Sequence, residues 1–153
     1  MYNLRLGTIS DLSDTKRLVD SFYKQSIYKS LTYDDTRVSD TLRDTLSSSN
    51  DLKIVILGTK DEIPIGLVAG QVAPAPFSTQ LVGLEQAWFV EEEHRNSKIG
   101  LELLSAFEEW CRLVGCDFIQ LSSLGASQSI ADTIYERRGY SLVEKAYLKQ
   151  IGD

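Results

Sequence analysis

The chain has 153 residues, of which 42% are hydrophobic and 25% are charged, a composition typical of a folded globular chain and not of a disordered one. The length predicts a single domain over residues 1–153. The formal net charge of −6 argues against general nucleic-acid binding, because phosphate backbones need a basic surface.

Features that the sequence lacks disfavour two further classes, membrane or secreted proteins and metal-binding proteins. No apolar run approaches the length of a bilayer span, and the first residues have no signal-peptide core, so we expect a cytoplasmic protein without a membrane partner. The chain has one histidine, and its two cysteines, Cys111 and Cys116, are five residues apart. This spacing fits neither a redox CxxC pair nor a metal-ligand set, so we expect no metal.

The first half of the chain predicts one strand, two helices and then a meander. Residues 4–7 alternate as in a strand, and apolar residues at helical spacing predict helices over 10–28 and 34–46. Ser10 or Asp11 is the expected N-cap of the first helix. A polar loop over 47–50 follows. The period then changes, and β-branched runs predict three antiparallel strands over 52–59, 65–72 and 81–90.

The second half predicts helices alternating with strands. We expect an amphipathic helix over 97–114 closed by Gly115, a short buried strand over 117–123, and a helix over 128–138 closed by Gly139. Residues 140–151 predict a terminal strand or a pair of short ones. The order is β-α-α-β-β-β-α-β-α-β. The strand–helix–strand crossover places the 117–123 strand parallel to its neighbour. The fold class is therefore α/β, with a mixed, mostly antiparallel sheet and helices on both faces.

The segment EEEHRNSKIG leads from the third meander strand into the helix predicted over 97–114. The first helical N–H groups lack intrahelical partners, and the helix dipole adds partial positive charge, so this is a natural anion site. Arg95 and Lys98 add full charges, and Gly100 allows a bulky group to approach the backbone. A diphosphate would use all three features. The alternative is a solvated loop with ordinary surface cations, and the two common phosphate motifs, GxxxxGK[ST] and GxGxxG, are absent.

Two segments resemble the GCN5-related N-acetyltransferase (GNAT) family. The residues Arg95-Asn96-Ser97-Lys98-Ile99-Gly100 are similar to its pyrophosphate loop, Q/R-x-x-G-x-G/A, except that Lys98 stands at the middle glycine. The segment from Gln128 to Tyr140 is similar to its fourth helix, N-x-x-A-x-x-L-Y-E-K-x-G-F. Ala131, Tyr135, Glu136 and Gly139 are in register there, whereas Gln128 replaces the asparagine.

The resemblance implies an acetyl-CoA-dependent N-acetyltransferase that acts on a primary amine by direct attack in a ternary complex. It implies that the backbone of Trp88, Phe89 and Val90 binds the pantetheine arm and places an N–H toward the thioester oxygen. The residues Arg95, Asn96, Ser97, Lys98, Ile99, Gly100 and Gln128 would complete the acetyl-CoA site. Tyr135 corresponds to the tyrosine near the CoA sulfur, where a protonated phenol can donate to the departing thiolate.

A general base is expected on the strand that precedes the loop, where many members carry a carboxylate. Glu85 is the candidate, and the alternative is a solvent-facing glutamate. Strict alternation places Glu85 on one face with Ala87 and Phe89, and Trp88 on the other, unless a bulge changes the assignment. His94 is disfavoured as the base, since it precedes the phosphate loop, far from the sulfur.

Three readings remain open for the activity and its partners. The acceptor is a small-molecule or a peptide amine, and Asp34 and Asp35 beside the expected acceptor site would favour a cationic one. Because Lys98 and Gln128 depart from the family pattern, a non-catalytic acyl-CoA-binding or interaction module is the alternative. A transferase of longer acyl groups is a third reading. Members of the family often dimerise, so a homodimer is compatible with the resemblance, although no distinctive patch marks an interface.

Overall fold

The computed structural model describes residues 1–47, 52–124 and 130–152. The predicted loop over 47–50 lies outside these ranges except for Ser47, and Gln128 lies outside them as well. The strands and helices, in chain order, are β1 (Tyr2–Leu6), α1 (Leu12–Gln25), α2 (Asp35–Ser47), β2 (Lys53–Lys60), β3 (Ile63–Pro74), β4 (Leu81–Val90), α3 (Ile99–Leu113), β5 (Phe118–Gln120) and α4 (Ile130–Arg137). Short 3-10 turns lie at Ile9–Asp11, Ile27–Ser30 and Glu92–His94.

A five-stranded sheet in the order β1-β2-β3-β4-β5 forms the centre of the fold. The first four strands are antiparallel, and β5 is parallel to β4, as the crossover predicts. The β4–β5 pairing covers only Val82, Gly83 and Leu84. Beyond Leu84, no strand in the described ranges pairs with this edge of β4, so the two strands part and leave an opening.

Helices cover both faces of the sheet, as predicted, and each face has its own apolar core. Phe107 and Leu103 of α3 pack with Val68 on one face. Leu18 of α1 and Leu42 of α2 pack on the other. Because both faces are covered, the meander strands β2 and β3 are buried in continuous runs of residues rather than at alternate positions.

The helix ends follow local capping chemistry. The first helix is shorter than the predicted 10–28, because Ser26 adopts an extended conformation and its side chain accepts a hydrogen bond from the backbone N–H of Tyr28. Asp11 is the N-cap residue of α1. Gly115 and Gly139 both have φ of +90°, the left-handed conformation expected just beyond a helix end. In the part of the chain that the structure describes, no helix is long and apolar enough to cross a membrane.

Two predictions about strands are wrong. The strand predicted as buried over 117–123 is reduced to Phe118–Gln120, and Phe118 is 54% exposed because β5 is the last strand of the sheet. The terminal strand predicted over 140–151 is absent, and this segment has no regular secondary structure. A strand exists only when its backbone groups pair with a neighbour, and the segment lies against no strand of the described chain.

Candidate active site

A bulge in β4 decides which way Glu85 points. Ala69 of β3 pairs with Ala87, but Gly70 pairs with Glu85, so Gln86 is an extra residue in β4. A Cβ on Gly70 would lie 2.4 Å from the Phe107 ring, so Gly70 faces α3. Glu85, which lies opposite Gly70, faces the same side.

The bulge corrects the strict alternation expected from the sequence. Trp88 pairs with Val68 and packs on the α3 face, whereas Ala87 and Phe89 pack on the α1/α2 face. Glu85 therefore shares its face with Trp88, not with Ala87 and Phe89. The extra residue brings a carboxyl and an indole together on one side of the sheet.

Glu85 and Tyr135, both buried, form a polar cluster with the backbone of Ser122 where β4 and β5 part. The Tyr135 hydroxyl donates a hydrogen bond of 2.9 Å to the carbonyl oxygen of Ser122. The Glu85 carboxylate accepts a hydrogen bond from the Ser122 backbone and interacts with the Tyr135 phenol. Glu85 and Tyr135 are each only 8% exposed. The alternative of a solvent-facing glutamate is thus excluded by the burial of its side chain.

The environment of the cluster raises the pKa of both acids. Burial raises the pKa of the Glu85 carboxyl to about 7, although the hydrogen bond from the Ser122 backbone and the contact with the Tyr135 phenol act in the opposite direction. Burial, followed by the charge of Glu85, raises the pKa of the Tyr135 phenol above its ordinary value near 10. At neutral pH, Tyr135 is therefore a proton donor, and Glu85 is close to half ionised, which is the range of an efficient general base.

Trp88 connects this cluster to the beginning of α3. Its ring lies 5.9 Å from the Tyr135 ring, centroid to centroid, and its indole N–H donates a 2.9 Å hydrogen bond to the carbonyl oxygen of Gly100. A Cβ on Gly100 would meet Val90 at 3.6 Å and Trp88 at 3.8 Å, which are ordinary contacts. Packing within the described chain therefore does not require a glycine at position 100.

Arg95 is held by the chain itself. Its Nε donates a 2.8 Å hydrogen bond to the Val90 carbonyl, and its terminal nitrogen donates a 2.8 Å hydrogen bond to Gln25 of α1. The guanidinium also lies over the Phe89 ring, 5.4 Å from its centroid. These contacts place Arg95 beside the end of β4, with an exposed side chain.

The rest of the loop forms the beginning of α3. The Ser97 hydroxyl donates to the His94 carbonyl at 2.6 Å and accepts from the Ile99 backbone N–H at 3.3 Å. Lys98 is the N-cap residue and supplies no side-chain capping hydrogen bond. Asn96 and Lys98 are exposed, whereas Ile99 is buried in the core below. Lys98 also lines a shallow groove with Leu4, on the side of α3 toward β1.

His94 does not belong to the cluster. Its Nδ1 is 2.9 Å from the Tyr2 hydroxyl, and the two rings meet edge to face. Tyr2 is in β1, at the opposite edge of the sheet from β5.

Sequence reasoning missed two residues of the site, Ser122 and Gln25. Ser122 is the second residue after β5, and the carboxyl end of a parallel strand is where ligands of open α/β sheets bind, so its position was a usable signal. Gln25 is brought to Arg95 only by the packing of α1, and no local pattern marks it.

Comparison with solved structures finds the same fold in several acetyltransferases. An aminoglycoside N-acetyltransferase in complex with CoA matches with a TM-score of 0.79 and 14% identity, over 99% of this chain and 95% of that one. Glucosamine-6-phosphate N-acetyltransferase from Arabidopsis thaliana matches with a TM-score of 0.74 and 14% identity, over 99% of both chains. Ribosomal-protein-alanine N-acetyltransferase from Brucella melitensis biovar Abortus 2308 matches with a TM-score of 0.70 and 18% identity, over 99% of this chain and 100% of that one.

At these identities the likeness shows the fold alone. No curated protein sequence shows a significant match to this chain. The family model described as acetyltransferase (GNAT) family matches residues 16–140, which include the bulged strand, the Arg95–Gly100 loop and Tyr135. The chain belongs to the GNAT acetyltransferase family.

Proposed function

We propose that the chain is an acetyl-CoA-dependent N-acetyltransferase, working as a single domain over residues 1–153. The observation that carries the proposal is the buried Glu85 carboxyl, with its pKa near 7, beside Tyr135 at the point where β4 and β5 part. A half-ionised carboxyl and a protonated phenol on one wall of an opening are a base and an acid for acyl transfer. The acceptor we propose is the primary amine of a small molecule or a peptide.

The open edge of β4 is our proposed site for the pantetheine arm. A linear amide-containing chain can add to a sheet edge through main-chain hydrogen bonds, as an extra strand does. Trp88, Phe89 and Val90 would supply these bonds, and a backbone N–H near Phe89 or Trp88 would stabilise the charge that develops on the thioester oxygen. The Val90 carbonyl already accepts from Arg95, so the arm would share this group or use its neighbours.

The beginning of α3 is our proposed pyrophosphate site. Lys98, the N-cap residue of this helix, makes no side-chain capping hydrogen bond, and packing within the described chain does not require a glycine at position 100. Arg95 would turn from Gln25 toward the phosphates, keeping its place beside β4. Lys98 and Asn96 are exposed at the same loop, and Gln128 would add a contact from the approach to α4.

The proposed reaction is direct attack of the amine on the thioester carbon. Glu85 takes the proton of the amine, the new C–N bond forms, and the C–S bond breaks as the tetrahedral intermediate collapses. Tyr135 then gives its hydroxyl proton to the CoA thiolate. Because Glu85 and Tyr135 interact, the proton taken from the amine can restore the phenol. Ser122 orients both groups through its backbone N–H and carbonyl.

Thermal unfolding with acetyl-CoA, CoA and ATP tests the binding half of the proposal. A ligand at about 100 times its dissociation constant adds roughly 2.7 kcal/mol, which raises the midpoint of a domain of this size by about 5–10 °C. We expect this rise with both CoA forms and little change with ATP. If neither CoA form shifts the midpoint, the assignment of the Arg95–Gly100 loop is refuted.

A non-catalytic acyl-CoA-binding module is the second candidate, favoured by Lys98 at the middle glycine of the loop. Thiol release from acetyl-CoA with a panel of primary amines separates the two candidates. Turnover that depends on both Glu85 and Tyr135 supports the enzyme. Binding of acetyl-CoA without release of CoA for any amine supports the module.

A further inference from the structure

A glutamate lies on the buried face of α3, one turn beyond Leu104. Glu108 is 8% exposed, whereas Leu104 and Cys111, its neighbours on the same face of the helix, are fully buried. Taking a carboxylate out of water costs free energy unless charged or hydrogen-bonding partners replace the water. A buried Glu108 therefore depends on partners, and the reaction proposed above does not involve it.

Both carboxylate oxygens of Glu108 bind side chains that lie just beyond the end of α4. Oε1 accepts a hydrogen bond from the Arg138 guanidinium, and Oε2 accepts a 2.7 Å hydrogen bond from the Tyr140 hydroxyl. The same guanidinium donates a 2.9 Å hydrogen bond to the Ser105 hydroxyl of α3. Burial acts to raise the pKa of Glu108, but the hydrogen bonds from its two partners outweigh burial and hold this pKa below its usual value. The carboxylate is therefore charged at neutral pH.

The two residues that bind Glu108 are also bonded to Tyr135 through the backbone. The backbone N–H groups of Arg138 and Tyr140 donate to the Tyr135 carbonyl oxygen, at 3.1 Å and 3.0 Å. Gly139 lies between them, and its left-handed conformation turns the chain so that both groups reach the same oxygen. The Tyr140 ring also lies 6.0 Å from the Tyr135 ring, centroid to centroid. Glu108 is thus joined to Tyr135 by two short hydrogen-bonded paths.

Packing alone gives α4 little support. The helix has eight residues, a length that is marginal for a helix without outside contacts. Tyr135 is the one residue of these eight that is buried, and Ile130 in the first turn is 80% exposed. The place of the Tyr135 phenol therefore depends on what holds the end of the helix.

We propose that Glu108 is a positioning residue for Tyr135. It holds Arg138 and Tyr140, and with them the end of α4, against α3. This contact sets where the Tyr135 phenol lies beside Glu85. Replacing a buried ion pair by apolar residues often leaves stability unchanged, so the contribution expected of this pair is to the arrangement of the site. The inference rests on the function proposed above, because the place of the phenol matters for acyl transfer only if Tyr135 donates the proton.

A double-mutant cycle with thiol release as the assay tests the positioning role. Glu108→Gln keeps the size of the side chain but removes its charge, and it should lower kcat by about 10–100-fold while KM for acetyl-CoA stays within about twofold. In the Tyr135→Phe background, the same change should have almost no further effect on kcat, because the hydroxyl that Glu108 positions is gone. Glu109→Gln changes the exposed neighbour in α3 and is the matched control, which should keep the kcat of its background in both cases.

Two kinetic outcomes would overturn the proposal. One is a double variant in which the losses of kcat from Glu108→Gln and Tyr135→Phe multiply, since a residue that only stabilises the fold acts equally in both backgrounds. The other is a Glu108→Gln variant with the kcat of the wild type. Tyr140→Phe removes a single hydroxyl from the same path, so it gives a second cycle with the same expectation if Glu108→Gln does not fold.

Fluorine NMR on protein labelled with 3-fluorotyrosine reports the place of the phenol without any turnover. The Tyr135 signal is assigned by its absence from Tyr135→Phe. We expect Glu108→Gln to shift or broaden this signal and Glu109→Gln to leave it unchanged. An unchanged Tyr135 signal in folded Glu108→Gln overturns the positioning role. A wild-type protein that acetylates no amine would refute the proposed function instead, and the fluorine spectra would still decide whether Glu108 fixes Tyr135.

Discussion

Replacement of Glu85 by glutamine should stabilise the protein at alkaline pH while removing its activity. The glutamine has the shape of the protonated carboxyl but no proton to lose. The pKa of Glu85 rises from an ordinary 4.5 to about 7 on folding, which amounts to about 3 kcal/mol at about 1.4 kcal/mol per pKa unit.

The sign follows from which state holds the proton more tightly. Between pH 4.5 and 7 the folded state keeps a proton that the unfolded state has lost, so the wild-type protein loses stability as the pH rises through this window. The Glu85→Gln variant avoids this loss. We expect equal stability at pH 4, and a thermal midpoint higher by about 5–10 °C for the variant at pH 8.

Chemical and thermal unfolding at the two pH values measure this difference, with exposed Glu93→Gln as the matched control. Thiol release completes the test: the rising limb near pH 7 in the wild-type rate profile should disappear in Glu85→Gln, together with a loss of about 10²–10⁴-fold in rate. A variant that gains no stability between pH 4 and pH 8 relative to wild type would refute the raised pKa and, with it, the assignment of Glu85 as the base.

Three further substitutions test the remaining parts of the site. Gly100→Ala should raise the free energy of unfolding by about 0.5–1 kcal/mol, since its Cβ meets no obstacle and alanine favours the helix. The same change should weaken the binding of acetyl-CoA measured by titration calorimetry. Unchanged affinity would contradict the pyrophosphate assignment. Tyr135→Phe should keep the thermal shift with acetyl-CoA but lower kcat, and it should lose about 0.5–1.5 kcal/mol of stability because the hydrogen bond to the Ser122 carbonyl is removed. Full activity would remove Tyr135 from the mechanism. Gly83→Ala should lower the free energy of unfolding in urea by about 1–3 kcal/mol, because its Cβ would lie 2.3 Å from the Cys111 sulfur. A second change, Cys111→Ala, should recover part of this loss of stability.

The sheet and its helices could be predicted because each has a strong period of its own. The strand over 81–90 has the predicted bounds in the structure, and α3 differs from its prediction by only one or two residues at each end. The parallel pairing of β5 with β4 could be predicted because a helix separates the two strands in the sequence, and such a crossover connects parallel strands. The terminal strand over 140–151 could not be predicted reliably from its period. Strand formation by residues 140–151 depends on a partner edge, and a sequence period does not specify one.

The candidate site was predicted as a set of residues but not as an arrangement. Tyr135 and the Arg95–Gly100 loop were predicted from motif register, and Trp88 was predicted from its place on the strand before the loop. The face of Glu85 was predicted wrongly because one extra residue, Gln86, inverts the alternation on one side of it. A bulge arises from the pairing of two strands, so the residues of one strand alone do not predict it. The hydrogen bond from Arg95 to Gln25 could not be predicted either, because it depends on the tertiary packing of α1.

The indole of Trp88 fixes the distance between the two ends of the proposed site. It stands on the face that carries Glu85, packs on Tyr135 and is tied to the first turn of α3 at Gly100, so one rigid side chain spans the two ends of the proposed site. The distance from the start of α3 to the cluster of Glu85 and Tyr135 is therefore set by a packed and hydrogen-bonded indole ring and not by a flexible loop. In the proposed site, a thioester on an arm shorter than pantetheine would reach only one of the two ends, so we expect the length of the donor to be a condition of reaction.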